Sequence, residues 1–275
     1  MKKDNKNKEK IIYYSDELND EFSEDLKIET RKIDEKFKYN KSRIWEFFSF
    51  LFQNILSMPI KILYLKIKFH HKFIGKEKIK DLKKYCEEKG LKYKKCGFFI
   101  YSNHTQPFSD TFTPSLIAYP KRNFLIVNPK NISLKGTGWL VEMLGAIPIP
   151  SNISASKKFI NRLENRIKKG YSISVYPEAH IWPYYTKIRP FKSVSFSYPV
   201  NFNCPVFVVT NTYQKRNKNS NKIKVNMVSY IDGPFFPDSN LNKKEAQVSL
   251  RNKVYETMKN ESKHNNVEVI KYIKK

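Results

Sequence analysis

Two short polar segments of the sequence hold the side chains best suited to acid–base chemistry. The first runs from Asn103 to Asp110 and follows an apolar run, so it begins where a buried strand is predicted to end. In open α/β sheets, ligands bind at the carboxyl ends of the strands. A carboxylate on one imidazole nitrogen fixes the tautomer and leaves the other nitrogen free as a base. A His104 ring oriented by Asp110 is therefore able to take a proton from an alcohol.

The second segment, residues 176–180, also follows a predicted strand and contains Glu178. This carboxylate is able to bind a substrate hydroxyl or to accept hydrogen bonds from the backbone amides of its own loop, and both interpretations stay open. A cationic loop comes next and contains Lys187, Arg189 and Lys192. Its position between two core elements favours contact with an anion, and simple surface charge is the alternative.

Short apolar runs separated by helical patterns predict the elements that position these segments. Strands that alternate with helices predict an α/β fold, in which a mostly parallel central sheet is flanked by helices. The predicted strands are 97–102, 123–127, 145–149, 172–176, 205–210 and 222–231, and the predicted helices are 136–144, 153–169 and 243–263.

The composition excludes several classes of protein. The 275 residues are 40% apolar and 15% aromatic, which suffices for a sizeable core and excludes a chain disordered throughout. Three cysteines exclude a disulfide scaffold and indicate a reducing compartment. The 52 basic and 26 acidic residues give a formal net charge of +26. Because all of this excess lies beyond residue 42, the folded region favours an anionic partner such as nucleic acid, an anionic membrane or a phosphorylated substrate.

Residues 1–42 balance 11 basic against 11 acidic side chains and predict a charged tail. The pattern over 16–38 is compatible with a solvated helix, and we favour a mobile or loosely docked tail. This tail is expected to be separate from the rest of the chain.

The next segment is the most apolar of the chain. Residues 44–60 are fewer than the roughly 20 apolar residues that a spanning helix needs, and polar residues and a proline interrupt them. The lysine-rich stretch 61–69 follows. An aromatic-rich segment followed by a basic one predicts a membrane-interfacial helical segment over 43–75. A buried helical hairpin and a true membrane span are the alternatives. Residues 76–275 are then expected to form the catalytic domain.

Four of these segments together resemble the motifs of the lysophospholipid acyltransferase family. The family's first motif is Asn-His, four residues and then Asp, whereas five residues separate His104 from Asp110 here. Order and spacing agree over roughly residues 95–235, and four motifs in order are more specific than any one of them. The matching segments are Asn103–Asp110, Leu144–Ile149, Tyr176–Ile181 with the later Phe191-Lys192, and Cys204–Val209.

The resemblance implies an O-acyltransferase of phospholipid biosynthesis, which moves a fatty acyl group from acyl-CoA or acyl-carrier protein to a lysophospholipid or glycerolipid hydroxyl. The first candidate for the acceptor is 1-acyl-sn-glycerol-3-phosphate. It implies His104 as general base and Asp110 as the group that orients it, with Asn103 and Glu178 in contact with substrate. Backbone amides near the His104 and Glu178 loops are expected to stabilise the oxyanion. No metal and no cofactor are implied apart from the acyl donor.

Two cationic positions of the family pattern are changed here. Pro150-Ser151 stand where the family has an Arg after its second motif, and His180-Ile181 replace the Thr-Arg of the third. We therefore assign the anion contact to the cationic loop, through Lys187, Arg189 and Lys192. The expected location is the cytoplasmic side of the cell membrane, with peripheral or monotopic attachment to an anionic surface.

A non-enzymatic basic module that binds an anionic membrane or nucleic acid is the leading alternative. It explains the net charge, but it gives no reason for polar motifs to follow two strands, and the sequence contains no recognisable nucleic-acid motif. We therefore expect no nucleic-acid partner. A hydrolase that uses the same His-Asp pair is the other alternative, and it lacks the Gly-x-Ser-x-Gly of a nucleophile elbow.

Overall fold

Apolar strands and amphipathic helices alternate along most of the chain, as the sequence predicts. The computed structural model describes residues 10–22, 29–88, 90, 92–216 and 224–275. The strands and helices of this part are, in chain order, β1 Lys10–Tyr14, α1 Arg43–Leu51, α2 Ser57–Phe69, β2 Lys72–Ile74, α3 Ile79–Glu88, β3 Phe98–Ser102, α4 Ser109–Ala118, β4 Asn123–Val127, α5 Gly138–Met143, β5 Ala146–Pro148, α6 Ile153–Lys168, β6 Ser172–Val175, α7 Ser197–Phe202, β7 Val206–Lys215, β8 Val225–Phe235, α8 Lys243–Glu261 and β9 Ile270–Lys274.

The central sheet has seven strands in the order β2-β8-β7-β3-β6-β4-β5. All neighbours are parallel except β7 and β8, which pair antiparallel. Tyr101 of β3 pairs with Val175 of β6, so the two strands end side by side. This register places the loops that follow β3 and β6 at one edge of the sheet. The prediction of a mostly parallel sheet flanked by helices is confirmed.

Strand β3 is buried on both faces, which is typical of a parallel strand covered by helices on either side. Phe99 and Tyr101 pack into the larger core cluster, together with residues of α6 and α8. Phe98 and Ile100 point to the opposite layer and pack with residues of α3 and α4. The strand therefore joins both hydrophobic layers, and the loop that follows it has a rigid support.

The N-terminal region packs against the domain, in contrast to the predicted tail. Strand β1 pairs parallel with β9 in a separate two-stranded sheet. Ile33, Phe37 and Tyr39 are each 5% exposed or less and belong to the main core cluster. The expectation of a mobile or loosely docked tail is therefore wrong for 10–22 and 29–42, because pairing with β9 holds the first stretch and three buried side chains anchor the second. The predicted helix is absent from 16–22 and 29–38, and the rest of its range lies outside the described residues.

Helices α1 and α2 join through a π-helical turn, Phe52–Leu56, into one continuous helix. Ser42 caps its start by accepting a hydrogen bond from the amide of Trp45, and the helix ends where His70 adopts a left-handed conformation. Within the described residues this is the one helix long and apolar enough to cross a membrane, by length and composition, and 28% of its most apolar window is buried. One side of the helix packs on the domain, and the other side is exposed.

Polar groups attach the inner side of α1 to the domain. The carboxylate of Glu46 receives hydrogen bonds from Arg122, Arg162 and Arg166, and the Arg122 and Arg166 side chains are almost completely buried. Ser49 accepts a hydrogen bond from Arg122 at 2.6 Å. A single carboxylate thus neutralises part of a cluster of three guanidinium groups, which would otherwise repel one another in a poorly hydrated place.

The structure joins Cys86 and Cys96 in a disulfide, and the remaining cysteine, Cys204, is free and buried. The expectation of a reducing compartment, drawn from the cysteine count, did not predict this bridge and is not supported by it, although a single bridge does not make a disulfide scaffold.

Replacement of Glu46 by Gln should lower the free energy of unfolding by about 3 kcal/mol, because the three arginines lose their shared anion. Denaturant unfolding of the full chain in detergent measures this change. The control is Glu87→Gln, which alters an exposed helical ion pair with Lys83 and should change stability by less than about 0.5 kcal/mol. Equal effects of the two substitutions would contradict a structural role for the Glu46 cluster.

Candidate active site

The loop after β3 brings His104 and Asp110 into contact. The imidazole Nδ1 lies 2.8 Å from Asp110 Oδ2, and the Asp110 side chain is fully buried in the first turn of α4. The same oxygen accepts hydrogen bonds from the backbone amides of Thr105 and Gln106, at 2.7 and 2.8 Å. The loop therefore wraps around the carboxylate, and the additional residue between His104 and Asp110 does not separate them.

Nε2 of His104 is left without a partner among the described residues, and the ring lies on the wall of a cavity. Tyr176 stacks on the imidazole, with ring centroids 4.3 Å apart and planes inclined by 23°. The Tyr176 hydroxyl donates a hydrogen bond to the backbone carbonyl of Asp110. Burial, reinforced by the Asp110 charge, raises the pKa of Tyr176 well above its ordinary value, so the hydroxyl stays protonated. The contacts with Asp110 and Tyr176 thereby hold the His104 imidazole in one orientation.

A chain of buried hydrogen bonds extends behind Asp110 to the end of α2. Asn211 of β7 donates to Asp110 Oδ1 at 3.2 Å, Ser229 of β8 donates to Asn211 at 2.5 Å, and His71 Nε2 lies 2.7 Å from the Ser229 hydroxyl oxygen. Because the serine proton is committed to Asn211, His71 is the donor in the last bond. Burial lowers the pKa of His71 to about 4, so the ring is neutral at neutral pH. Every group of this chain donates toward the carboxylate, so the chain fixes the position of Asp110 Oδ1.

Glu178 holds its own loop and joins it to the loop of His104. Its carboxylate accepts hydrogen bonds from the backbone amides of His104 and Arg189, at 3.1 and 3.0 Å. The Arg189 guanidinium lies 3.5 Å from Glu178 Oε2 and also donates to the carbonyl of His180. Burial raises the pKa of Glu178, while Arg189 and the two amides act in the opposite direction. Of the two interpretations of Glu178, the contacts favour the one in which it binds backbone amides.

The predicted anion contact through Arg189 is wrong, because its side chain is fully buried and paired with Glu178. The predicted substrate contact through Asn103 is also not present, since its side chain is bonded in both directions to the backbone of Asn211. Lys187 is exposed and lies outside the cavity wall, whereas exposed Lys192 is part of it.

The cavity beside His104 has a volume of about 950 Å³. That is near the upper end of the range of about 300–1,000 Å³ that is typical of small-molecule sites. Its walls come from the α1–α2 helix, α4, the loops after β3, β4 and β6, and part of the N-terminal region. Most of the lining is apolar, and the residues that argue for a hydrocarbon ligand are Met58, Phe108, Phe112, Val127, Leu134 and Leu144.

The sequence analysis missed several residues of this site. Asn211, Ser229 and His71 carry no local signal, because they meet Asp110 only through the strand order. Lys61, in contrast, has a local signal in the sequence. It lies on the side of α2 that also buries Met58 and Leu65, so the signal is a lysine within an apolar stripe of helical spacing.

The partly buried His104, held by the fully buried Asp110, faces a mostly apolar cavity, and this geometry was compared with known families. A family model for acyltransferases matches residues 70–211, which is just over half of the chain. The chain therefore belongs to the acyltransferase family, and it is an enzyme rather than a non-enzymatic basic module.

The fold is also similar to that of a solved structure, the crystal structure of the 1-acyl-sn-glycerophosphate (LPA) acyltransferase PlsC from Thermotoga maritima. The two share 16% sequence identity with a TM-score of 0.50, and the match covers 82% of each chain. No curated protein gives a match to this sequence. The likeness supports the overall fold of the chain.

Replacement of Ser229 by Ala should lower kcat by about fivefold to tenfold while the KM for the acceptor changes little. The substitution breaks the chain of donors behind Asn211, and a lost hydrogen bond of this kind costs roughly 1 kcal/mol. Initial-rate kinetics on the full chain measure both constants.

The matched control is Ser174→Ala. Ser174 is an equally buried serine that donates to an asparagine, Asn123, on a neighbouring strand and does not contact Asp110. If both variants lose activity only in proportion to their folded fraction, Ser229 has no role in positioning the carboxylate.

Proposed function

We propose that the chain transfers a fatty acyl group from a thioester donor, acyl-CoA or acyl-carrier protein, to a hydroxyl of a lysophospholipid or glycerolipid. The first candidate for the acceptor is 1-acyl-sn-glycerol-3-phosphate, which would place the enzyme in phospholipid biosynthesis. The observation that carries the proposal is the presentation of His104 Nε2 to a large apolar cavity, while buried Asp110 holds Nδ1. Membership of the acyltransferase family supports the reaction type.

In the proposed mechanism, His104 Nε2 takes the proton of the acceptor hydroxyl as the oxygen attacks the thioester carbonyl. The tetrahedral intermediate collapses with cleavage of the carbon–sulfur bond, and the imidazolium returns its proton to the departing thiolate. Asp110 stabilises the imidazolium through the 2.8 Å contact. A positioned base of this kind contributes typically about 10²–10⁴-fold to the rate. Atoms and charge balance without an acyl-enzyme, so the proposed transfer is direct.

Fewer backbone amides are available to stabilise the oxyanion than the sequence analysis expected. The backbone N–H groups of residues 104–106, 179 and 180 all donate to groups of the protein. Ile181 also lines the cavity, and its N–H makes no hydrogen bond to any described residue. Its amide is therefore our first candidate for the group that stabilises the oxyanion.

Attachment to a membrane fits the exposed side of the α1–α2 helix. Ile60, Leu63 and Ile67 are 58–65% exposed and recur at helical spacing, and Phe47 and Ile55 are exposed on the same long helix. An apolar stripe of this kind lies favourably in the interface of a bilayer. We propose peripheral or monotopic attachment on the cytoplasmic side, so that the lipid acceptor enters the cavity without crossing water.

Replacement of His104 by Ala should lower acyl transfer by at least a factor of about 10² and leave the fold intact. Transfer of a radiolabelled acyl group from each donor to a panel of lysolipids measures the activity, and circular dichroism checks the fold. The control is His180→Ala, since His180 also lines the cavity but does not contact Asp110. Unchanged turnover in the His104 variant would remove the mechanism.

The triple substitution Ile60→Ser, Leu63→Ser and Ile67→Ser should reduce binding to anionic vesicles at least tenfold, because about 1.5–3 kcal/mol is gained for each aliphatic side chain fully removed from water. Co-sedimentation of the full chain with the vesicles measures this loss of binding. A matched control is Val248→Ser, an exposed aliphatic side chain on α8. Undiminished sedimentation of the triple variant would show that another surface binds the membrane.

A further inference from the structure

Lys61 is a buried cation that has no partner in the part of the chain that the structure describes. Its side chain, on helix α2, is 5% exposed, and it makes no hydrogen bond or ion pair with any other described residue. It lies on the wall of the cavity that also contains His104. Lysine is almost never buried in this way unless it is paired, because removal of an ammonium group from water is costly.

The other lysines of the cavity wall are accounted for. Lys121 donates to the three carbonyls of Tyr93, Cys96 and Gly170, at 2.6–3.0 Å. Lys192 is exposed to solvent. Among the lysines and arginines that line the cavity, Lys61 is therefore the buried one that lacks a counter-charge within the described part of the chain.

We propose that Lys61 binds the phosphate group of the acceptor lipid and thereby places the acceptor hydroxyl at His104. This inference rests on the proposed function, and it names the anionic group of the substrate. A phosphate supplies the missing negative charge, and an ammonium group is a suitable point-charge partner for it.

The location of Lys61 favours the acceptor over the donor as the source of the phosphate. Its neighbours Ile60, Ile62 and Leu63 form part of the exposed apolar surface of the helix, at 52–64% exposure. A lipid that leaves the membrane along this surface passes the helix that carries Lys61 before it reaches the interior of the cavity. A water-soluble donor carrier has no need to approach along the same surface.

The test compares Lys61→Met with Lys61→Arg in the full chain. Methionine keeps the length and removes the charge, and arginine keeps the charge. With 1-acyl-sn-glycerol-3-phosphate as varied substrate in mixed micelles, Lys61→Met should raise the acceptor KM about tenfold to a hundredfold, which is the usual effect of losing one charge-assisted hydrogen bond. The donor KM should stay unchanged, and Lys61→Arg should recover most of the loss. With the phosphate-free acceptor 1-acylglycerol, wild type and Lys61→Met should have the same KM.

The matched control is Lys66→Met, which removes the same charge from an exposed position of the same helix. An equal rise of the acceptor KM in this control would assign the effect to surface charge and overturn the proposal. A rise of the donor KM alone would assign the phosphate to the donor and overturn it as well. A loss of activity toward 1-acylglycerol in Lys61→Met would assign a structural role to Lys61 and would also overturn the proposal.

A binding measurement separates this inference from the proposed function. Without any acyl donor, 1-acyl-sn-glycerol-3-phosphate should raise the melting temperature of the wild type and of His104→Ala, but not that of Lys61→Met. Equal stabilisation of all three would overturn the role of Lys61 while acyl transfer by the wild type stands. Absence of transfer by the wild type, with Lys61-dependent binding intact, would overturn the proposed function alone.

Discussion

One oxygen atom, Oδ2 of Asp110, determines the geometry of the site. It receives the ring of His104 and two backbone amides of the same loop, so a single buried carboxylate both orients the imidazole and shapes the turn that carries it. A carboxylate without these donors would be costly to bury. The orientation of the ring is therefore a property of the entire turn, and the five intervening residues are accommodated because the amides of Thr105 and Gln106 fold back onto the acid.

The neighbouring strand end follows the same design with different residues. Glu178 organises the loop after β6, as Asp110 organises the loop after β3, and its bond to the amide of His104 connects the two loops. Buried ion pairs such as the one between Glu178 and Arg189 add little net stability, because desolvation offsets most of the attraction. Their contribution here is geometric, since they hold two loops at one edge of the sheet in a fixed relation.

The sequence predicted those features whose signal is local. Six apolar runs gave six strands of the central sheet, and the polar segments after β3 and β6 were found from their position behind those runs. The three-dimensional partners were not predictable in the same way. Arg189 and Glu178 were each chosen as candidate binding residues because of their charge, but only the folded loop shows that they pair with one another. Strand β1 and its partner β9 are about 260 residues apart, and such a pairing leaves no local pattern.

That distant pairing bears on how the protein matures during synthesis. Residues 18, 19 and 21 follow β1 and form part of the cavity wall, while the Trp182 indole donates a hydrogen bond to the carbonyl of Asp20. Strand β1 emerges from the ribosome long before β9 exists, so it waits for its partner throughout translation. Contacts of such sequence separation carry a large entropic cost and form late. Because β1 can pair with β9 only after the C-terminal strand has been synthesised, we expect the N-terminal part of the cavity wall to be completed late in folding.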